Sequence, residues 1–515
     1  MELKMPLAYY FMGYLLSFCF CTGTRFSYRL LRYWKKHRER HALHTKEERI
    51  MVIGAGEAGQ IIIKELLRSD QLYAKVCCVI DDNPGKHGRY LEGVPIVGGR
   101  DCIADMVKRY SINWIIFAIP SSGKRNRKEI LNICQETGCR MQALPGIYQL
   151  VKGEVSVSKL RDVDIADLLG RDEIEINNDE VFQLIDGQVI LVTGGGGSIG
   201  SELCRQIAAN HPKELIIFDI YENNAYAIQQ ELKRSHPDLN LKVLIGSVRD
   251  EERIRSVMEM YRPQVVFHAA AHKHVPLRED RRDEAVKNNA LGTFKTAKAA
   301  GDYNVRKFVL ISTDKAVNPT NIMGATKRIC EMIIQMMNQE YKRTEFVAVR
   351  FGNGLGSNGS VIPLFKKQIA EGGPVTVTHP DIIRYFMTIP EAVSLVLQAA
   401  HYASGGEIFV LDMGEPVRIA DMARNLIRLS GFTPDVDIKI EYTGLRPGEK
   451  LYEELLMAEE GLRKTPNKMI FIGQNIPVDD CWLVRKLGEL DALDDDNPDA
   501  VKKLVHEIAP TYNPN

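Results

Sequence analysis

A glycine-rich pattern occurs twice in this chain, each time between a short apolar segment and a segment with helical spacing. The first copy is Gly54-Ala-Gly-Glu-Ala-Gly59, after the apolar segment 49–53, and the second is Thr193-Gly-Gly-Gly-Gly-Ser-Ile-Gly200, after 189–192. Glycines at this spacing allow a tight turn, a close approach of the backbone to a phosphate, and close packing of helix on strand. The pattern predicts two α/β units, each opening with a strand, a glycine loop and a helix.

The 515 residues are enough for two or three domains. Further segments rich in β-branched and aromatic residues follow each glycine loop, at intervals that leave room for helices. We predict two Rossmann-like, doubly wound parallel-sheet domains at 49–150 and 187–515, joined by a charged linker at 151–186. Two blocks with the same order of strands and helices favour a duplicated α/β architecture over a repeat solenoid.

Twenty residues without a charge, Met5 to Thr24, lie near the N-terminus. At about 1.5 Å per residue, a helix of that length spans roughly 30 Å, the thickness of a bilayer core. A signal peptide is the alternative, but no small-x-small cleavage site follows. The basic residues between Arg25 and Arg40 are typical of a cytoplasmic flank and also suit anionic headgroups. We predict a transmembrane helix at 1–24, a basic juxtamembrane helix at 25–48, and single-pass attachment to the inner (cytoplasmic) membrane with the domains in the cytoplasm.

The charge balance and the cysteine content argue against two other classes of protein, nucleic-acid-binding proteins and metalloproteins. The 67 basic and 67 acidic residues give no net charge that would favour nucleic acid. The ten cysteines are scattered without metal-ligand spacing, which suits a reducing compartment and predicts no metal site.

The second glycine loop carries the stronger cofactor signal. Asp219 closes the strand 214–218, nineteen residues beyond Gly200. A carboxylate there accepts hydrogen bonds from the ribose hydroxyls of NAD and repels the 2′-phosphate of NADP. The helix N-terminus supplies amide donors for a pyrophosphate, and a predicted strand at 265–271 ends in small residues that let a cofactor lie against the backbone. The residues predicted on this basis to bind cofactor are Gly194, Gly197, Ser198, Ile199, Gly200, Asp219, Ala269 and Ala270.

A weaker nucleotide site is predicted in the first unit. There Asp81 follows the strand 74–80, as Asp219 follows its strand. The glycines Gly54, Gly56 and Gly59 serve strand–helix packing equally well, so the pattern leaves the ligand of this unit open.

Polar residues follow the apolar strand 307–312 in the second unit. Asp314 and Lys315 place an acid beside a potential base at the carboxyl edge of the sheet, where ligands of open α/β sheets bind. Met323 and Lys327 are one helical turn apart and share a face. A loop with an Asn-Pro turn before an amphipathic helix is the alternative interpretation.

Three cationic residues outside this segment suit an anionic ligand. Arg384 and Arg446 can bind phosphate oxygens in a bidentate way, and Lys273 follows the strand that begins at Val265. Solvated surface side chains are the alternative for all three.

Five motifs occur together and in order: Thr193-Gly-x-x-Gly-x-x-Gly200, Asn289-x-x-Gly-Thr293, Ser312-Thr-Asp-Lys315, Met323-x-x-x-Lys327 and Arg446-Pro-Gly-Glu449. With them, the chain resembles the extended short-chain dehydrogenase/reductases over nearly its whole length. More narrowly, it resembles the membrane-bound UDP-N-acetylglucosamine 4,6-dehydratases of the capsular polysaccharide type.

The sequence departs from the general pattern of that superfamily in three places. Met323 stands where most members have a tyrosine, a substitution typical of the membrane-bound dehydratase subgroup. Larger relatives have several membrane helices where this chain has one predicted helix. Ser247 stands where related enzymes have an aspartate near the adenine, and Asp250 in the same segment is included among the predicted cofactor contacts.

The resemblance implies a function for these residues. It implies tightly held NAD, a UDP-linked N-acetylhexosamine as substrate, a 4,6-dehydration in polysaccharide biosynthesis, and a homo-oligomer. Lys315 would be the base at carbon 5 and Asp314 the acid at carbon 6, with the pKa of Lys315 lowered by Lys327 and the nicotinamide cation. The catalytic set is Thr313, Asp314, Lys315, Met323 and Lys327, of which Lys327 also holds the cofactor ribose; the substrate-binding set is Lys273, Asn353, Arg384, Arg446 and Glu449.

Two other functions are compatible with the scaffold. A nucleotide-sugar 4-epimerase also oxidises carbon 4 but removes no proton from carbon 5, so the Asp314–Lys315 pair favours elimination. A non-catalytic, membrane-attached NAD sensor is the second alternative, because the usual tyrosine is missing. The proton acceptor in place of that tyrosine and the configuration of the product at carbon 5 stay open.

Overall fold

The computed structural model describes residues 48–68, 74–144, 160–163, 167, 178–454, 461–473, 478–493 and 498–513, together with 12–18, 20, 22–24, 26 and 27. The chain forms two compact units. Residues up to 122 with 129–163 form the first, and 123–128 with 164–515 form the second.

The first unit has an α/β fold, in which helices connect the strands of one mostly parallel sheet. Its strands are β1 Glu48–Ile53, β2 Ala74–Ile80, β3 Tyr90–Leu91, β4 Val94–Gly98, β5 Trp114–Phe117, β6 Arg140–Ala143 and β7 Arg161–Asp162. Its helices are α1 Glu57–Arg68, α2 Ile103–Tyr110 and α3 Lys124–Glu136. The sheet order is β3-β4-β2-β1-β5-β6-β7, with β1, β2, β4, β5 and β6 parallel and β3 and β7 antiparallel to their neighbours.

The second unit is larger and is built around one sheet of nine strands. Its main strands are β8 Val189–Thr193, β9 Glu214–Asp219, β10 Leu241–Ile245, β11 Val265–His268, β12 Lys307–Thr313 and β13 Glu345–Phe351. The shorter strands that follow are β14 Asn353–Leu355, β15 Val375–Val377, β16 Ile383–Arg384, β17 Phe386–Thr388, β18 Ile408–Leu411, β19 Val417–Arg418, β20 Ile440–Tyr442, β21 Arg463–Lys464 and β22 Ile470–Gly473.

The helices of this unit cover both faces of the sheet. They are α4 Asn178–Ile185, α5 Ser198–Ala208, α6 Glu222–Ser235, α7 Glu251–Tyr261, α8 Val275–Asp280, α9 Arg282–Ala285, α10 Gly292–Asp302, α11 Ile322–Glu340, α12 Val361–Ala370, α13 Ile389–Tyr402, α14 Ile419–Leu429, α15 Asp480–Asp491 and α16 Pro498–Ile508. A π-helical turn, Val286–Leu291, joins α9 to α10. Two apolar clusters pack against the sheet, one containing α7, α10 and α11 and the other α5 and α13.

The strand order of the large sheet positions a ligand site. The order is β10-β9-β8-β11-β12-β13-β18-β22-β21, parallel from β10 to β18 and antiparallel beyond. From β8 the chain builds outward through β9 and β10, then returns to the other side of β8 with β11. A reversal of this kind leaves a crevice at the carboxyl ends of β8 and β11, where doubly wound sheets bind ligands.

The predicted strands are confirmed within one or two residues, except that the strand expected at 265–271 ends at His268. The predicted linker 151–186 contains β7 and α4, and most of its other residues lie outside the described part. The glycine loop was predicted to run to Gly200, with the helix starting at Ser201. The helix begins at Ser198 instead, because Gly197 adopts an extended conformation and ends the loop three residues earlier.

Much of the predicted membrane-spanning segment and nearly all of the basic segment after it lie outside the described residues. Among the positions that the structure does describe, no helix combines the length and the apolar character needed to cross a bilayer.

Candidate active site

A cavity of about 610 Å³ opens at the carboxyl edge of the large sheet, above the ends of β8, β11, β12 and β13. It is lined by residues from both predicted sets. From the cofactor set these are Gly194, Gly197, Ser198, Ile199, Gly200, Ala269 and Lys327. From the catalytic and substrate sets they are Thr313, Lys315, Met323, Lys273, Asn353, Arg384, Arg446 and Glu449. Residues separated by up to 255 positions in sequence thus meet in one cavity, from Gly194 to Glu449.

The glycine loop leaves bare backbone at the cavity wall. Gly194 has a φ of +69°, and a Cβ added there would lie 2.6 Å from the amide nitrogen of Ala270. A Cβ at Gly200 would overlap the carbonyl oxygen of Gly194. Only glycine fits at these two positions, so β8, the loop and α5 are held in close contact.

The Asp219 carboxylate stabilises this loop by accepting backbone hydrogen bonds. Its Oδ2 accepts a hydrogen bond from the Gly196 amide at 2.8 Å, and its Oδ1 accepts one from the Tyr221 amide at 2.8 Å. The carboxylate is 8% exposed and is not part of the cavity wall. Each oxygen keeps a further lone pair that can accept a bond from a hydroxyl.

Asp250 and Ala270 lie away from the cavity wall. Asp250 is exposed and caps α7, where its side chain accepts a hydrogen bond from the Arg253 amide at 3.0 Å. Its contact with a cofactor remains a prediction, and the geometry supports only the cap.

The end of β12 carries Asp314 and Lys315, the residues predicted to be the acid and the base. Thr313 donates from Oγ1 to Asp314 Oδ1 at 2.9 Å, and Lys315 Nζ donates to the same oxygen at 3.0 Å. Asp314 is fully buried behind the cavity wall, and its Oδ2 has no hydrogen-bond partner among the described residues. Because a buried carboxylate oxygen without a donor is costly, this is a position where a proton or a ligand hydroxyl would be stabilised.

A buried ion pair anchors the strand just before this turn. Ser312 donates to Glu331 Oε1 at 2.7 Å, and Arg350 donates to both oxygens of Glu331, at 2.7 and 2.8 Å. Glu331 and Arg350 are at most 1% exposed. The network joins β12, α11 and β13 directly beneath the turn that carries Asp314.

Lys315 is surrounded by acceptors. Its Nζ lies 3.0 Å from Asp314 Oδ1, 3.3 Å from Asn353 Oδ1 and 3.6 Å from Glu453 Oε1. Burial alone would lower the pKa of Lys315, but the carboxylates of Asp314 and Glu453 outweigh it and raise the pKa above its ordinary value. The expected lowering of the Lys315 pKa is therefore wrong, because the Asp314 and Glu453 carboxylates lie beside the amine and outweigh the effect of burial.

Met323 and Lys327 lie on the first turns of α11, as predicted, and both line the cavity. Met323 is 3% exposed. Lys327 donates to the carbonyl of Ile311 at 2.9 Å, and burial lowers the pKa of its amine. Asn321 fixes the helix start by accepting a bond from the Gly324 amide at 2.8 Å.

Lys273, in the loop after β11, and Asn353, at the start of β14, face the same cavity. Lys273 Nζ donates to Ser357 Oγ at 3.3 Å, and burial lowers its pKa, with Lys315 adding to the effect. Asn353 donates to the carbonyl of Tyr385 at 3.1 Å and so presents its amide oxygen to Lys315.

The two predicted phosphate-binding arginines differ sharply. Arg384 donates to the carbonyls of Ile383 and Lys450, both at 2.7 Å, and lies 3.5 Å from Glu449 and Glu453. Its guanidinium therefore holds the segment 446–453 against the cavity. Arg446 is exposed, and its guanidinium has no partner among the described residues, so it is the freer donor for an anion.

Glu449 is bound to this same segment. Its Oε2 accepts the Arg446 amide at 3.1 Å, and its Oε1 faces Arg384. This arrangement fits a residue that shapes the rim better than one that contacts a phosphate, since two negative groups repel.

The sequence analysis missed several residues that line the cavity, among them Asn224, His272 and Glu453. Burial lowers the pKa of His272 to about 4, and its Nδ1 has no hydrogen-bond partner among the described residues. Glu453 stands four residues after Glu449, a spacing that could have pointed to it; Asn224 and His272 carry no comparable signal.

The first unit repeats the loop but not its surroundings. Asp81 Oδ2 accepts the Ala55 amide at 2.8 Å, and Lys86 Nζ pairs with the same oxygen at 3.0 Å. Lys86 also donates to the Ala55 carbonyl at 3.1 Å. A Cβ at Gly59 would overlap the Gly54 carbonyl, whereas Gly56 has no heavy atom within 4 Å of its Cβ position.

Known proteins resemble this chain along most of its length. A family model described as "Polysaccharide biosynthesis protein" matches residues 190–475, and a model described as "CoA-binding domain" matches 4–145. Capsular polysaccharide biosynthesis protein CapD of Staphylococcus aureus is 47% identical over 88% of this chain and 75% of its own length.

The catalytic half has relatives of two kinds. A UDP-N-acetylglucosamine 4,6-dehydratase (inverting) of Campylobacter jejuni is 34% identical over 54% of this chain and 80% of its own length. A UDP-glucose 4-epimerase of Rickettsia canadensis is 36% identical over 53% of this chain and 79% of its own length.

Among solved structures, the X-ray structure of Pen from Bacillus thuringiensis is 37% identical, with a TM-score of 0.53, and covers 56% of this chain and 88% of that chain. The family model spans more than half of the 515 residues. With the glycine loop, the Thr313–Lys315 turn and the α11 residues assembled around one cavity, the chain belongs to the polysaccharide biosynthesis family of extended short-chain dehydrogenase/reductases.

Proposed function

We propose that this chain is an NAD-dependent 4,6-dehydratase of a UDP-linked N-acetylhexosamine, acting in polysaccharide biosynthesis. The observation that carries the proposal is the pairing of Lys315 with buried Asp314 at the cavity wall, 3.0 Å apart. An elimination needs a base and an acid side by side, whereas a 4-epimerisation needs neither at carbon 5.

The cavity fits a dinucleotide. An added Cβ at Gly194 would come within 2.6 Å of the neighbouring backbone, and the α5 N-terminus faces the same space, so the loop offers bare amides to a pyrophosphate. Asp219 would accept ribose hydroxyls below the loop, and Lys327 would hold the nicotinamide ribose. When bound, NAD supplies reversible hydride transfer, which produces the ketone at carbon 4 that acidifies the hydrogen on carbon 5.

The residues of the chain carry out the proton steps. Thr313 holds the 4-hydroxyl in place of the missing tyrosine, since the Met323 thioether cannot transfer a proton. Lys315, as the neutral amine, takes the carbon 5 proton and gives a proton, exchangeable with solvent, back to carbon 5 once water has left and hydride has been returned to carbon 6. Asp314, in its protonated form, gives a proton to the carbon 6 hydroxyl, which leaves as water. Because Asp314 lies behind Thr313 and Lys315, this last step requires the hydroxyl to enter between those side chains.

Incubation of the full chain with UDP-N-acetylglucosamine and NAD tests the proposal. We expect a product lighter by one water in the mass spectrum, with deuterium at carbon 5 when the solvent is deuterated. Lys315→Met should abolish this product. An unchanged sugar nucleotide with the wild-type chain would refute the function, and full activity of Lys315→Met would remove Lys315 from the base role.

The second candidate is a UDP-sugar 4-epimerase, which the similarity to the Rickettsia protein favours. Such an enzyme would give a product of unchanged mass with inverted carbon 4. The same mass-spectrometric experiment, followed by NMR of the product, separates the two reactions.

We also propose that the uncharged segment Met5 to Thr24 anchors the chain in the cytoplasmic membrane, with the domains on the cytoplasmic side. The length of that segment and the arginines after it support this. Retention of the full chain in the membrane pellet after alkaline carbonate extraction is the expected result; release into the supernatant would refute it.

A further inference from the structure

Glu453 is a buried acid at the centre of the site without an assigned role. It is 8% exposed, lines the cavity, and follows the rim segment that begins at Arg446. Its Oε1 lies 3.6 Å from Lys315 Nζ and 3.5 Å from Arg384 Nε. A single carboxylate oxygen therefore faces two cations, one from the β12 turn and one from β16.

Two carboxylates approach the Lys315 amine from different sides. Asp314 approaches the amine from the buried side at 3.0 Å, and Glu453 approaches from the cavity wall. Arg384 and Lys273 are the cations that face this group, and Arg384 opposes the carboxylates by lowering the pKa of Lys315. The carboxylates prevail, so the pKa of Lys315 lies above its ordinary value and the amine is held as an ammonium ion.

We propose that Glu453 is a positioning residue for Lys315: it holds the ammonium group at the cavity wall and controls when that group gives up its proton. The inference deepens the proposed function and rests on it, because the base at carbon 5 must be a neutral amine. Asp314 alone would draw the amine toward the buried side, away from a substrate. Glu453 opposes this and orients Nζ along the wall.

The link to Arg384 suggests how the substrate acts on this pair. An anionic ligand near the rim attracts Arg384, which now shares Glu453 Oε1 with Lys315. A shift of this cation toward the ligand leaves the Glu453 oxygen to Lys315, so Glu453 keeps Nζ at the cavity wall while the substrate is bound. The Nζ proton passes to solvent, and because Glu453 stabilises the ammonium form, it sets the pH at which the neutral amine becomes available.

Kinetics of matched variants test the inference. Glu453→Gln removes the negative charge of the side chain and keeps its shape. In a plot of kcat against pH, we therefore expect the plateau to begin about one pH unit lower in this variant than in the wild type. We also expect kcat to fall about 10- to 100-fold, because the amine is less well held. Glu453→Asp keeps the charge and should retain the wild-type pH profile at a reduced rate.

Glu454→Gln is the control. Glu454 is the adjacent acid, pairs with Lys450 at 2.9 Å and is not part of the cavity wall, so its loss should leave the profile of kcat unchanged. A structural role for Glu453 would lower the rate without moving the profile. An unshifted profile in Glu453→Gln, with the circular dichroism spectrum of the wild type, therefore overturns the inference while the proposed function stands.

Labelling with cyanate gives a readout that needs no turnover. Cyanate carbamylates only the neutral amine, so at pH 8 we expect Lys315 to react about tenfold faster in Glu453→Gln than in the wild type. Lys367, whose side chain is 73% exposed, serves as the internal reference in peptide mass spectra. An unchanged Lys315 rate contradicts the inference. A faster rate in a chain that leaves UDP-N-acetylglucosamine unchanged contradicts the proposed function alone.

Discussion

The two glycine loops share the same backbone arrangement but differ in the charged groups around it. In both, a carboxylate at the end of the second strand accepts a loop amide at 2.8 Å: Asp81 from Ala55 and Asp219 from Gly196. In the first unit, Lys86 neutralises the carboxylate and covers the loop carbonyl. In the second, the described residues place no cation on Asp219. The comparison shows that the loop specifies a strand–helix packing, whereas the residues around the acid decide whether a ribose can reach it.

The largest effect is expected from filling the closest contact in each loop. A methyl group in Gly200→Ala overlaps the Gly194 carbonyl, and in Gly59→Ala it overlaps the Gly54 carbonyl. Each change should destabilise its own unit by about 3 kcal/mol. Calorimetry should show one transition shifted in each variant, and only Gly200→Ala should lose NAD on gel filtration. NAD loss in both variants would remove the distinction between the loops.

A smaller effect is expected from the carboxylates themselves. Asp219→Asn should weaken NAD binding about tenfold in titration calorimetry, since a charge-assisted hydrogen bond contributes about 1.5 kcal/mol or more. Asp81→Asn should leave NAD affinity unchanged, because Lys86 covers that acid. A reduced NAD stoichiometry in Asp81→Asn would instead show a second dinucleotide site in the first unit.

The ion pair of the first loop predicts a pH dependence. Burial raises the pKa of Asp81, but bonds from Asn83, Lys86 and Ala55 outweigh it and lower the pKa below its ordinary value of 3.8. The carboxylate thus contributes stability that is present above pH 3.8 and is lost as the pH falls below it through the folded-state pKa. Lys86→Met should reduce the acid sensitivity of the first transition and lower its stability at pH 7 by about 0.5 kcal/mol, because Lys86 is partly exposed. Equal acid sensitivity of wild type and variant would contradict this.

The smallest effect is expected at Gly56 in the middle of the first loop, and the matching position of the second loop, Gly196, serves as the comparison. Gly56 has open space at its Cβ position, so Gly56→Ala should change the unfolding free energy by about 0.5 kcal/mol or less. Gly196→Ala places a Cβ 2.9 Å from the Asn224 side chain and should cost about 1–3 kcal/mol. Similar losses in a denaturant series would show that the loops are equally crowded.

The sequence predicted the strands well because each buried parallel strand is a continuous apolar run. It also predicted the residues at their ends, since carboxyl ends of parallel strands meet at one edge. The start of α5 was misplaced because a glycine such as Gly200 favours a loop locally, yet here it packs the helix on the strand. The partners of Lys315 could not be derived, since Glu453 is 138 residues away and only tertiary packing brings it near. For the same reason, the internal bonds of Arg384 were not foreseen.

The buried Glu331–Arg350 pair beneath Ser312 has a consequence for engineering. An exchange of the turn 313–321 between relatives would transfer the side chains of the turn. It would not transfer the buried network beneath the turn that fixes their position relative to the sheet. Removal of Glu331 would take away the carboxylate that both Arg350 and Arg328 face in a dry interior, and breaking a buried pair typically costs about 3–5 kcal/mol. Grafts intended to alter sugar preference should therefore carry positions 312, 331 and 350 as one inseparable unit.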